Sequence, residues 1–145
     1  MLSINLNELP LKETFVANHA SQRAFSSFPF LGSLENQDTS VVYVELNPGE
    51  ELGTHTDSGE EVLFIFEGRV EVIVGDEQAI VEAPSLALVP EMLPHNLRNV
   101  GDVRAKFIGI FPNRYLIATF DHEWQPDGTN IIDTKLIEQM FAEAE

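Results

Sequence analysis

GEELGTHTDSGEEVLFIFEG, residues 49–68, carries two signals in twenty positions. Its second half, 61–67, is of strand length and holds the apolar run 62–66 between Glu61 and Glu67. Its first half sets His55, Asp57 and Glu61 at positions of the same parity. Residues two apart on a strand project to one face, so His55 and Asp57 point together. Glu61 joins them if the Ser58-Gly59 turn keeps the register. His95 lies far enough beyond to return on another strand. Imidazoles and carboxylates are the donors that a borderline divalent metal takes. The spacing therefore predicts a metal pocket of His55, Asp57, Glu61 and His95 inside a sheet structure.

Outward from this stretch the chain reads as short strands divided by Gly, Pro, Asn and Asp. Strands are expected over 41–46, 52–57, 61–67, 69–74, 78–82, 86–89, 95–99, 105–111 and 115–120. So many short strands with turns at such intervals predict an all-β sandwich or barrel. If Glu61, Leu63 and Ile65 face inward, then Val62, Phe64 and Phe66 form an outward apolar row that needs cover. The N-terminal segment or a second subunit could supply it, and a homodimer is the expectation. Residues 21–30 read as a short helix or an aromatic-rich arm. The pattern of 131–145 is that of a C-terminal helix running from about 133 to 145, capped at Asp133 or Thr134. Leu136, Ile137, Met140 and Phe141 make its apolar stripe, expected to pack on the barrel exterior.

A chain of 145 residues predicts one domain over 1–145. Cysteine is absent, which excludes disulfides, thiolate metal sites and cysteine nucleophiles. Twenty-four acidic residues against 8 basic ones leave a formal net charge of −16. That field repels phosphate backbones and anionic lipid, so neither nucleic acid nor membrane is an expected partner. The N-terminus lacks a basic segment followed by a long apolar one, and 62–66 is too short to span a bilayer. A soluble cytoplasmic protein is the expectation.

Two motifs resemble those of the cupins. Gly49-(x)5-His55-x-Asp57-(x)3-Glu61-(x)6-Gly68 is similar to the first cupin motif, in which a second histidine stands where Asp57 stands here. Pro90-(x)3-Pro94-His95-(x)3-Asn99, within 84–99, is similar to the second. Pro84-Ser85 and Glu91-Met92 depart from the usual residues of that motif, at positions that shape turns. The resemblance spans about a third of the chain. It implies a jelly-roll β-barrel of two antiparallel sheets with a divalent metal inside, held by His55, Glu61 and His95. The ligand types admit iron, manganese, nickel, cobalt or zinc. Asp57 is shorter than histidine and anionic, so it is either a fourth ligand or a residue that bonds the Ser58-Gly59 turn.

Cupins of this small type include dioxygenases, isomerases, epimerases and lyases, so a metal-dependent enzyme on a small-molecule substrate is one expectation. A non-catalytic small-molecule or metal-binding module is the other. Tyr43, Phe107 and Phe111 are candidates for the barrel mouth, against the ordinary role of strand aromatics as core. His19 and His122 have no partners at ligand spacing, and no arginine is an expected substrate clamp. No Gly-x-Ser-x-Gly elbow and no Gly-rich phosphate loop occurs.

Overall fold

The computed structural model describes residues 1–35, 37–137 and 139. After a 3-10 turn at Leu6–Glu8 come β1 (Lys12–Val16), β2 (His19–Phe30), the one-turn helix α1 (Gly32–Glu35) and β3 (Ser40–Leu46). The middle of the chain supplies β4 (His55–Asp57), β5 (Glu61–Glu67), β6 (Arg69–Val74), β7 (Glu77–Glu82), β8 (Ser85–Val89) and β9 (His95–Asn99). The last strands are β10 (Ala105–Phe111), β11 (Ile117–Gln125) and β12 (Thr129–Asp133).

The strands pair antiparallel in the order β7-β6-β9-β4-β11-β1-β2-β3-β10-β5-β8, with β12 added beside β11. This long path curls into a nearly closed jelly-roll barrel, leaving β7 and β8 as its two free ends. Alternation drives the curl. On β5, Glu61, Leu63 and Ile65 are buried while Val62 stays exposed. On β9, His95, Leu97 and Asn99 are buried while Arg98 is exposed. Leu46, Leu63, Ile65, Val70, Leu97 and Phe107 fill the interior between the facing strands.

Gly68 takes the chain from β5 to β6 at φ +90, and a Cβ there would meet the Ala105 backbone at 3.0 Å. Only glycine tolerates that backbone and that approach. Asn99 ties the same end of the barrel. Its buried amide donates to the carbonyls of Leu46 (2.9 Å) and Val103 (2.8 Å), and its side-chain oxygen accepts from Gly101 N.

Several boundaries differ from expectation. The strand expected from 52 begins only at His55, because Gly53 turns the backbone to φ +85. Residues 21–30 are neither helix nor irregular arm but part of β2, with Gln22 and Ala24 turned inward. Lys12–Val16 pairs with β2 and β11, a strand that the pattern did not announce. At the C-terminus 129–133 is strand, since Ile132 pairs with Ala118. The helix starts at 134, where Asp133 Oδ1 accepts from Lys135 N at 2.9 Å. Within it Leu136 is exposed rather than packed, and Met140 and Phe141 lie outside the described residues. No helix among the described residues is long and apolar enough to cross a membrane.

Candidate metal centre

The barrel interior holds all four of the residues singled out by spacing. β4 and β9 are neighbours, and their register sets His55 directly opposite His95. The two rings lie 4.1 Å apart between centroids. His55, Asp57, Glu61 and His95 are all buried. Donor atoms of His55, Asp57 and His95 lie within 4.8 Å of one another. His95 Nε2 is 2.9 Å from Asp57 Oδ2 and 3.6 Å from Glu61 Oε1, and His55 Nε2 is 3.8 Å from Asp57 Oδ2. The aspartate that departs from the motif thus stands between the histidines, with Glu61 one step outside this trio.

Backbone carbonyls orient both rings. His55 Nδ1 lies 2.8 Å from Gly53 O, and His95 Nδ1 lies 2.9 Å from Leu93 O. A carbonyl only accepts, so each Nδ1 carries its proton and each Nε2 faces inward, as a lone pair on the neutral His55 ring. This is the arrangement by which metal-binding histidines are commonly fixed. His95 Nε2 and Asp57 Oδ2 have no hydrogen-bond partner although both are buried. Two acceptors at 2.9 Å repel unless a cation lies between them, either a proton on Nε2 or a metal ion. The donor set and these orphaned atoms fit a divalent ion held by nitrogen and oxygen.

Electrostatics agree with that fit. Burial, aided by the His95 charge, pushes His55 down to about 4, so its ring is neutral at physiological pH. For His95 burial acts in the same downward sense, but the Asp57 and Glu61 carboxylates close to Nε2 and the Leu93 carbonyl at Nδ1 outweigh it and raise the group to about 10. Burial pushes Glu61 up to about 7, against the opposing pull of His95. Two carboxylates beside a buried histidine favour a positive charge between them.

Further residues support the cluster. The Phe120 ring stacks on His55 at 4.4 Å, and Trp124, the single tryptophan, packs edge-on against Phe120 at 5.5 Å. Gly53 must adopt positive φ to present its carbonyl to His55, and its N–H donates to Asn96 Oδ1 at 2.9 Å. Gly109 on β10 leaves the space taken by the Glu61 carboxylate, which a Cβ would strike. These roles were invisible in spacing, although a glycine inside the apolar strand 105–111 signals a close approach.

Other candidates fall elsewhere. Tyr43 is buried beside Phe66, its hydroxyl donating to Glu45 Oε2 at 2.6 Å, and burial followed by that carboxylate raises its pKa. Phe107 and Phe111 are buried, Phe107 within the main core. His19 and His122 lie ring against ring, 4.0 Å apart, away from the cluster. All the bases lie outside it too. Lys12, Arg23, Arg69, Arg104, Lys106 and Arg114 pair with Asp127, Glu13, Glu82, Glu45, Glu67 and Asp38 respectively. Lys135 lies over the Tyr115 ring, and Arg98 is exposed on β9.

Residues 42–111 match the family model described as Cupin domain. No curated protein matches the chain by sequence. Among solved structures, a cupin-like protein from Thermotoga maritima is 16% identical with a TM-score of 0.58, over 70% of this chain and 72% of that one. A predicted oxalate decarboxylase from the same organism is 15% identical with a TM-score of 0.64, over 74% and 96%. The Bacillus subtilis oxalate decarboxylase, described with Mn(II) centres, is 16% identical with a TM-score of 0.57 over 69% of this chain and 28% of its own length. At such identities the likeness is one of fold. The two motifs, the jelly-roll barrel and the match over 42–111, just under half of the chain, together identify a cupin domain.

Proposed function

We propose that this cupin is a divalent-metal-dependent protein that acts on a small molecule, with His55, Asp57, Glu61 and His95 as the ligands. The observation that carries the proposal is the buried, unpartnered pair of His95 Nε2 and Asp57 Oδ2 at 2.9 Å. Iron, manganese, nickel, cobalt and zinc all suit two imidazoles and two carboxylates, and the Mn(II) centres of the Bacillus subtilis relative favour including manganese. A bound divalent ion would supply Lewis-acid polarisation of a substrate oxygen in an isomerase or lyase reaction, or activation of dioxygen in a dioxygenase reaction. The protein's own residues hold and orient. The Gly53 and Leu93 carbonyls fix the two rings, Asp57 and Glu61 neutralise the ion, and Phe120 with Trp124 keeps water from one side.

The test is metal content after purification without chelator or polyhistidine tag, for the parent, His95→Ala and Asp57→Ala. One ion per chain in the parent, lost in both variants, is expected. A parent that takes up no stoichiometric ion even after reconstitution rules the proposal out. Incubating the loaded protein with candidate substrates then separates turnover from saturable binding without product.

The outer face of β8 and β5 supports a homodimer as part of the same proposal. Leu86, Leu88 and Val62 are 72%, 58% and 36% exposed there, beside the partly buried Phe64 and Phe66. Leu86, Leu88 and Val62 remain exposed with the N-terminal segment in place. The row carries no charge on a chain of net −16, so a second copy meets it without the acidic repulsion expected of most other approaches.

A further inference from the structure

Between the free ends of the strand path lies a slot of about 350 Å³, lined by Val72, Val74, Val81, Ala87 and Leu93, with the exposed Ala79 and Leu88 also in its lining. Its size is that of a small-molecule pocket. Val74 is the register partner of His95, so the two side chains share the inner face of the sheet. Leu93, at the same wall, gives its carbonyl to the His95 ring. The slot therefore lies beside His95 across Val74 and Leu93, while none of the four candidate ligands is part of its lining.

Its chemistry is one-sided. The walls are small aliphatic side chains, and Glu77 and Gln78 are the polar members of the lining. None of the eight lysines and arginines reaches it, since six are ion-paired elsewhere, Lys135 lies over Tyr115 and Arg98 is exposed. Asp57 and Glu61 bring two negative charges, which a divalent ion only balances. No net positive charge then remains to hold an anionic ligand, and Glu77 opposes its entry. An anion placed here would lose its hydration without gaining a partner.

We propose that the slot between β7 and β8 admits an uncharged, largely apolar small molecule to the metal centre, and selects against carboxylates and phosphates. This rests on the metal-centre proposal for its chemistry, but the selectivity belongs to the slot and is measured separately. It also sets the chain apart from relatives named for oxalate, a dianion.

Benzyl alcohol and benzoate, equal in shape and unequal in charge, are the probes, with oxalate as a third. Methyl-labelled full-length protein is titrated with each by NMR, metal-free and after zinc loading, while metal content is measured independently. Benzyl alcohol is expected to shift the Val72, Val74 and Ala87 methyls saturably and to bind at least about tenfold tighter than benzoate. Ala79→Lys, at the exposed edge of the slot, should move the preference toward benzoate. Ala87→Phe should abolish the methyl shifts while metal uptake stays at the parental level. Benzoate or oxalate binding as tightly as benzyl alcohol overturns the proposal, as does failure of every probe to reach these methyls. Loss of metal uptake with the probe preference intact would instead sink the metal-centre proposal alone.

Discussion

His95 exchanges its charge-holding partner for a metal only by giving up a proton, and this fixes the sign of the pH dependence. In the metal-free protein the group is raised to about 10 and Glu61 to about 7, whereas His55, lowered to about 4, is already neutral. Ions therefore compete with two protons below about pH 7 and with one between about pH 7 and 10. Affinity should rise with pH across both ranges, more steeply in the lower, and calorimetry in buffers of differing ionisation heat counts the protons released. Folding stability of the metal-free protein moves the other way on the alkaline side. The contribution of His95 is complete below its unfolded value near 6.5 and is lost as pH rises through about 10. The same sign holds for Glu61 between 4.5 and about 7, while His55 costs stability as pH falls from 6.5 toward about 4. Thermal melting should thus be lower at about pH 9 than at about pH 7, and a zinc-loaded sample should lose that difference. Asp57→Asn keeps the shape of the side chain but removes the charge opposite both rings. It should weaken metal binding by at least about tenfold, followed through Trp124 fluorescence, which senses His55 through Phe120.

Among the elements, β9 and β10 hold the site in register. β9 carries His95, Leu97 and Asn99, all on the buried face. Asn99→Ala would remove the amide bonds to Leu46 and Val103 and leave those carbonyls without this donor. A loss of about 1–3 kcal/mol is expected from buried hydrogen bonds of this kind, read by urea denaturation. β10 acts through a missing side chain. Gly109→Ala would place a methyl where the Glu61 carboxylate lies and displace it. The expected result is weakened metal binding with folding largely retained, because the carboxylate is the far end of a flexible side chain. Equal metal affinity in Gly109→Ala would remove Glu61 from the ligand set. Neither role follows from hydrophobic pattern alone.

For the whole molecule the decisive feature is the contrast between a strongly acidic chain and one uncharged outer face. If Leu86, Leu88 and Val62 meet the same residues of a second copy, the protein runs as a dimer in light scattering, and added salt strengthens it by screening the remaining acidic repulsion. Leu88→Glu should give a monomer with unchanged metal content, since Leu88 lies on the outer face opposite Val62. A monomeric parent at micromolar concentration would sink the dimer.

Much of the fold was legible because strands obey a period of two. The burial of Glu61, Leu63 and Ile65 against exposed Val62 follows from alternation, and so does the shared face of His55 and Asp57. Where alternation was weak the expectation failed. The aromatic segment 21–30 joined the sheet as β2, and 129–133 became a strand because Ile132 finds Ala118 across β11. Such pairings are long-range and leave no local signature. By itself the sequence determined the all-β class, the candidate metal residues and the absence of thiol chemistry, since each depends only on residue type and parity. Only the tertiary structure decided that Asp57, rather than Glu61, lies between the two histidines. It also decided that Gly53 and Leu93 aim the rings and that the lysines and arginines pair or lie elsewhere than at the cluster. Those are facts of distance between strands far apart in the chain, and distance is set by the closure of the barrel.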